Sequence, residues 1–99
     1  MSLKINDKMS DEEVVEHTRN HDKEYYAYII DRYESKLLAY VKRLTYNSYE
    51  AEDLVQQALV NAYINLQSFD IESKFSSWIY RIAHNLSINW LKKKFLGGK

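Results

Sequence analysis

The residues that could carry covalent or metal chemistry come first. His17 and His21 stand four apart, a spacing that lets one helix offer two imidazoles to one ion. Asn20 and Asp22 read as helix-ending residues around them, and no third ligand is evident, so no metal site is expected. Asp11, Glu12, Glu13 and Glu16 crowd the start of a helix, where negative charge complements the dipole. They read as solvated first-turn acids and not as a general acid/base pair. His84 reads as a surface residue on the outer side of its helix, a minor polar contact at most. Cysteine is absent, which removes thiolate nucleophiles, disulfides and Cys-ligated metals. No glycine-rich phosphate loop or nucleophile elbow occurs. Neither an enzyme nor a resident cofactor or metal is expected.

Recognition chemistry is better represented. In "KFSSWIYRIAHNLSINWLKKK", Phe75, Ile79, Ile82, Leu86 and Trp90 recur at steps of three and four, the spacing of a core-facing helix stripe. Trp78, Arg81, Asn85, Asn89 and Lys92 recur at similar steps on a face roughly 90° away. An indole, a guanidinium, two amides and a basic end suit a strand of nucleic acid. Bases stack on aromatic faces, amides donate and accept at base edges, and Lys92, Lys93 and Lys94 can hold phosphates. The plainer alternative for Trp78 is that it covers a neighbouring loop.

These residues must be positioned by helices. The 99 residues contain no proline, and the only glycines are Gly97 and Gly98, so nothing breaks a helix before the last residues. The length suits one domain with one core. The expected fold is all-α, a bundle of about four helices. Ser10 and Glu13 form a capping box for a short helix to about Arg19. Asp22 can cap a second helix with an apolar stripe of Tyr26, Ile29, Ile30, Tyr33, Leu37, Tyr40 and Leu44. After the turn "TYNSYE", Ser48 is the expected cap of a third helix running to about Leu66, with Ala51, Leu54, Val55, Ala58, Ala62 and Leu66 inward. "QSFDIES" reads as a loop, and Ser73 as the cap of the fourth helix.

A net charge of zero conceals a polarised chain. All fourteen acids lie at or before Glu72, against eight Lys and Arg, whereas the stretch from Ser73 onward holds six Lys and Arg and no acid. Two surfaces for two partners fit this pattern, as do two ordinary solvated faces. The third helix turns Asp53, Gln56, Gln57, Val60 and Asn61 outward; apolar residues among amides, with few charges, resemble the centre of a protein interface. No apolar run approaches a membrane span and "MSLKINDKMSDEE" lacks a signal peptide's apolar segment, so a cytoplasmic protein is expected.

The stretch "AEDLVQQALVNAYINLQSFDIESKFSSWIYRIAHNLSINWLKKK" resembles region 2 of bacterial sigma-70-family factors, most of all the extracytoplasmic-function (ECF) group. "YYAYIIDRYESKLLAYVKRLT" is similar to the first long helix of that domain, and the likeness extends over residues 10–95. The resemblance implies a promoter-recognition domain for transcription initiation. Its third helix would dock on a coiled coil of the largest RNA polymerase subunit through Asp53, Gln56 and Gln57, with Val60 and Asn61 on the same face. Family members usually carry Glu where Gln57 stands, so one docking charge is missing. The loop and fourth helix would take up a flipped base of the non-template strand of the −10 element. Asn65, Ser68, Phe69 and Asn85 match positions lining that pocket, Trp78 and Arg81 match neighbours on the DNA face, and Lys74, Asn89, Lys92, Lys93 and Lys94 join the same DNA-binding side. An anti-sigma factor is a further candidate partner.

The resemblance further implies a flexible segment over residues 1–9, the domain over 10–95, and the start of a linker over 96–99. Family members continue into a second domain that reads the −35 element; this chain is expected to be a fragment ending near that linker. Two other classes fit the bare composition. One is a helix-turn-helix regulator of duplex DNA; the other is a polymerase-binding module that reads no DNA.

Overall fold

The computed structural model describes residues 8–97; the expected flexible segment and linker start lie largely outside them. Four α-helices follow one another: α1 (Asp11–Asn20), α2 (Tyr26–Thr45), α3 (Ser48–Ile64) and α4 (Phe75–Leu96). Single turns of 3₁₀ helix at Lys23–Tyr25 and Leu66–Ser68 precede α2 and follow α3. No strand occurs among the described residues, and the all-α expectation holds.

Helices α2, α3 and α4 pack on one another, while α1 lies against α2, α4 and the Leu66–Ser68 turn. The core is one cluster drawn from every helix. Val14 and Val15 come from α1, Ile29, Tyr33, Leu37 and Val41 from α2, Leu54, Val55 and Leu59 from α3, and Phe75, Ile79 and Ala83 from α4. Small residues sit at the contacts: Ala51, Ala58, Ala62, Ala83 and Ser87 are wholly inaccessible, which lets the backbones approach closely. Ser87 satisfies its buried hydroxyl on the Ala83 carbonyl at 2.8 Å. Ile82, Leu86 and Trp90 are therefore partly buried at the margins of the α4 stripe, not at its centre. In α2, likewise, Val41 and Thr45 are buried, with Tyr40 and Leu44 flanking them.

The helix ends explain where sequence and structure part. Ser10 and Glu13 do form a capping box, at 3.0 and 2.8 Å. Asp22, however, caps the Lys23–Tyr25 turn by accepting the Glu24 N–H, and α2 begins behind it without a side-chain cap. Asn47, not Ser48, caps α3, because its amide oxygen accepts the Glu50 N–H at 3.0 Å. Helix α2 closes on Tyr46 in the left-handed region (φ 54°), a conformation more usual for glycine or asparagine. Helix α3 stops at Ile64, two residues before the expected end, and Leu66 is buried from the 3₁₀ turn. Ser73 does not cap α4. Lys74 holds that position without an acceptor of its own, and Glu12 of α1 receives the Phe75 N–H at 2.6 Å.

The first-turn acids are thus not simply solvated. Glu12 caps a helix distant in sequence, and Asp11 pairs with Arg32 at 2.9 Å while accepting the Tyr33 hydroxyl. His84 also differs from expectation: it faces α2, where its Nδ1 lies 2.8 Å from the Tyr40 hydroxyl. His17 and His21 have ring centres 5.3 Å apart, and no group of three His, Cys, Asp or Glu suited to a metal ion occurs among the described residues.

Two outcomes follow from these contacts. Glu12→Ala removes the side-chain acceptor of the Phe75 N–H at the start of α4 and is expected to lower stability by about 1–2 kcal/mol, with Glu12→Gln recovering part of it; urea titration reads both. The second concerns alkaline pH. Burial pushes the phenols of Tyr26 and Tyr33 up, and the bond to Asp11 adds to the rise at Tyr33. The folded protein keeps these protons while the unfolded chain releases them near pH ~10. Stability from this source is therefore complete at neutral pH and declines above about pH 10, with a shallower decline in Tyr26→Phe when melting is followed against pH.

Candidate nucleic-acid interface

Between α3 and α4 only the single 3₁₀ turn at Leu66–Ser68 supplies helical bonds, so the remaining backbone groups need other partners. Asn65 ends α3: its N–H bonds to the Asn61 and Tyr63 carbonyls, and its side-chain amide turns back to the Asn61 carbonyl at 2.9 Å. The Ser68 hydroxyl donates to the Asn65 carbonyl at 2.8 Å. Leu66 and Phe69 are 3% and 4% exposed and root the segment in the core. Arg19 of α1 then donates from one nitrogen, Nη1, to the Leu66 carbonyl at 3.1 Å and the Phe69 carbonyl at 2.7 Å. Asp70 makes the last turn, its carboxylate accepting the Glu72 N–H at 3.0 Å and its carbonyl the Ser73 N–H at 2.8 Å.

This segment and the first two turns of α4 enclose a cleft of about 450 Å³, lined by Ser68, Phe69, Asp70, Ser73, Lys74, Ser77, Trp78 and Arg81. Trp78 is its half-buried aromatic wall, 5.1 Å from the Phe69 ring and 5.6 Å from Phe75. The two readings of Trp78 therefore coincide in one ring, which covers the loop and also lines the cleft. Phe69 is a buried floor, packed edge-on against Phe75, and has almost no free face for a ligand. Three serines and one aspartate line the cleft together with Lys74 and Arg81; the Ser68 hydroxyl is donated to the Asn65 carbonyl and the Ser73 hydroxyl to Asp70. Such a site can hold a flat ring against the indole, offer donors and acceptors to its edge, and attract an attached phosphate.

Of the four residues expected to line a pocket, Ser68 and Phe69 do so. Asn65 stands just before it at the end of α3, exposed and with its amide nitrogen donated to the Asn61 carbonyl, and Asn85 lies one turn beyond Arg81 along α4. Asn85 continues the outward stripe instead: Arg81, Asn85, Asn89, Lys92 and Lys93 are all exposed along one helix. Lys94 is partly engaged, with its ammonium 5.1 Å over the Trp90 ring. The cleft thus opens onto a strip of amides and cations.

The outward face of α3 is separate from it. Asp53, Gln56, Gln57, Val60 and Asn61 are exposed together, as expected. Gln57 donates to the Asp53 carboxylate at 2.7 Å, and Gln56 donates to Glu34 of α2 at 3.0 Å, so this polar surface is already ordered. Val60 and Ile64 are 54% and 69% exposed beside these amides. An apolar groove of about 670 Å³ adjoins them, with Tyr26, Ile30, Leu59, Val60 and Tyr63 among its lining residues.

Several members of the site carried no readable signal. Arg19 is one charge in a short polar helix, and Asp70, Ser73 and Ser77 are ordinary loop and first-turn residues. Only their convergence across about 50 residues of sequence marks them. The nearby "SFD" and "KFSSW" would have pointed to the place but not to each role.

Comparison with known proteins agrees with this geometry. Residues 29–95 match the family described as Sigma-70 region 2. The chain is 42% identical over 80 residues to the ECF RNA polymerase sigma factor SigW of Bacillus subtilis, covering 81% of this chain and 43% of that protein. It is 33% identical over 87 residues to the ECF RNA polymerase sigma-E factor of Escherichia coli K12, covering 88% of this chain and 45% of that one. The chain thus spans less than half the length of the curated relatives it matches. Among solved structures, an engineered region 2 of sigmaE, determined by NMR in complex with GTAAAA, superposes with a TM-score of 0.80 at 35% identity, covering 93% of this chain and 98% of that one. A family match over two-thirds of the residues, a shared helical fold and motifs in the same order lead to one conclusion: the chain belongs to the sigma-70 region 2 family, in its ECF branch.

Proposed function

We propose that this chain is the promoter-reading domain of a sigma factor, a non-enzymatic protein acting with core RNA polymerase in the bacterial cytoplasm. The observation that carries this reading is the cleft between the loop and α4, with Trp78 as its wall, in a fold whose solved relative was determined in complex with GTAAAA. One base of the non-template strand of the −10 element leaves the stack and enters this cleft. Extrusion costs a few kcal/mol, and stacking on an aromatic side chain returns about 1–3 kcal/mol. Asp70, Ser73 and Ser77 are the groups placed to face the edge of that base, and Lys74 and Arg81 its phosphates. The strip of Asn85, Asn89, Lys92 and Lys93 carries the next nucleotides, the amides at base edges and the lysines at phosphates.

Docking falls to α3. Asp53, Gln56, Gln57, Val60 and Asn61 form the face for the coiled coil of the largest polymerase subunit, with Val60 as its apolar centre. The Gln57–Asp53 bond supports this role by holding the carboxylate in one orientation; the missing Glu at Gln57 removes one charge from the contact. An anti-sigma factor would compete for the same exposed face. The domain boundary at about 10–95 fits a division of labour in which a following domain reads the −35 element. The family match favours this reading over a helix-turn-helix regulator of duplex DNA.

Two experiments test it. The chain should be retained on core RNA polymerase, and Asp53→Ala and Gln56→Ala should each reduce retention; absence of wild-type retention at low salt and micromolar concentration overturns the assignment. With −10 oligonucleotides, Lys93→Ala should lower affinity for every sequence and reduce the salt slope by about 1. Asn85→Ala should instead narrow the difference between sequences. Equal losses on all sequences from both changes would remove Asn85 from the reading surface.

A further inference from the structure

Helix α1 touches both walls of the cleft. Arg19 Nη1 holds the carbonyls of Leu66 and Phe69, which bracket Ser68 and immediately precede Asp70 on the loop wall. Glu12 holds the Phe75 N–H, which stands between Lys74 and the Ser77–Trp78 pair on the helix wall. Glu12 and Arg19 are two helical turns apart on α1, so they share a face and are separated by about 10 Å along it. The helix between them is fixed. Val14, Val15 and Thr18 are buried, the Ser10 capping box closes one end, and the Asp11–Arg32 pair ties it to α2.

We infer that α1 is a strut that sets the width of the cleft, and that Arg19 is a positioning residue for base selection. This rests on the promoter-reading assignment above. Arg19 touches no cleft-lining hydroxyl or carboxylate; it acts through the two loop carbonyls. Both bonds leave from one nitrogen, so the two carbonyls are drawn toward a single point and the loop between them is held in one shape. Without that nitrogen the Phe69 carbonyl can turn to water, the Leu66 carbonyl keeps only the Phe69 N–H at 3.2 Å, and Ser68 and Asp70 lose their fixed distance from Trp78. The lysine strip at the far end of α4 is untouched, so the effect falls on discrimination and not on general attraction to phosphate.

The test compares the full chain with Arg19→Met, which keeps an apolar stem, and Arg19→Lys, whose single ammonium can also donate to both carbonyls. The probes are the deoxyhexanucleotide GTAAAA and its single-base variants, with amide hydrogen exchange measured on the same proteins. Arg19→Met should compress the spread of affinities by about tenfold, the scale of one lost hydrogen-bonded pair, while lowering the mean affinity much less. Exchange should quicken at the Ser68 and Phe69 amides with α2 and α3 unchanged, and Arg19→Lys should restore both readouts. A wild-type spread and wild-type loop protection in Arg19→Met overturn the strut, as does faster exchange throughout α2 and α3. Failure of Arg19→Lys to restore the loop also counts against it. Should the wild type itself show no base preference, the promoter-reading assignment fails, and loop exchange still decides the role of Arg19.

Discussion

Backbone groups left open where α3 gives way to α4 set the terms for the rest of this molecule. The Phe69 carbonyl, the first amide of α4 and the second lone pair of the Leu66 carbonyl, whose first takes the Phe69 N–H, lie beside a tightly filled aromatic cluster, where unpaired polar groups cost about 1–3 kcal/mol each. Local sequence does not close them: Lys74 is no cap, and Ser73 is engaged with Asp70. Arg19 and Glu12 close them from α1. Once that helix is seated, the loop has one shape, the rings of Phe69, Phe75 and Trp78 have one packing, and a cleft exists between them.

The same constraint separates the two surfaces. Helix α3 buries Leu54, Val55, Ala58 and Leu59 and leaves Asp53, Gln56, Gln57 and Val60 outside, while α4 buries Phe75, Ile79 and Ala83 and leaves its amides and cations outside. The acids end at Glu72 and the cationic strip follows Lys74, so opposite charges in the linear chain become different faces in space. The cationic strip of α4 is thereby kept apart from the Asp53 face of α3, so the field of one does not cancel that of the other.

Much of this was legible in the sequence where one helix decides its own pattern. The Ser10–Glu13 capping box, the buried set of α3 and its exposed amides are periodic or local features, and all are present; the inward stripe of α4 begins as expected at Phe75 and Ile79 but continues through Ala83 and Ser87, with Ile82, Leu86 and Trp90 at its margins. Errors gather where neighbours compete or distant residues meet. Asn47 and Ser48 are both good caps, and only the backbone decides for Asn47. The stripe of α2 read through Tyr40 and Leu44, whereas the buried positions at that end are Val41 and Thr45. His84 looked external because its partner, Tyr40, is on another helix. Arg19 and Glu12 have meaning only through residues far along the chain, which no spacing rule reaches.

That sequence separation has a consequence for the order of assembly. A ten-residue helix such as α1 is marginal alone in water, and its stabilising partners stand 47, 50 and 63 residues later. During synthesis α1 leaves the ribosome first yet waits for Phe75 before its last contact can close. Pairing of α2 with α3 needs only the short Tyr46–Asn47 connection and can precede it. The outward face of α3 thus matures early on the nascent chain, and the cleft between the loop and α4 late, so a chain interrupted before α4 would present the one without the other.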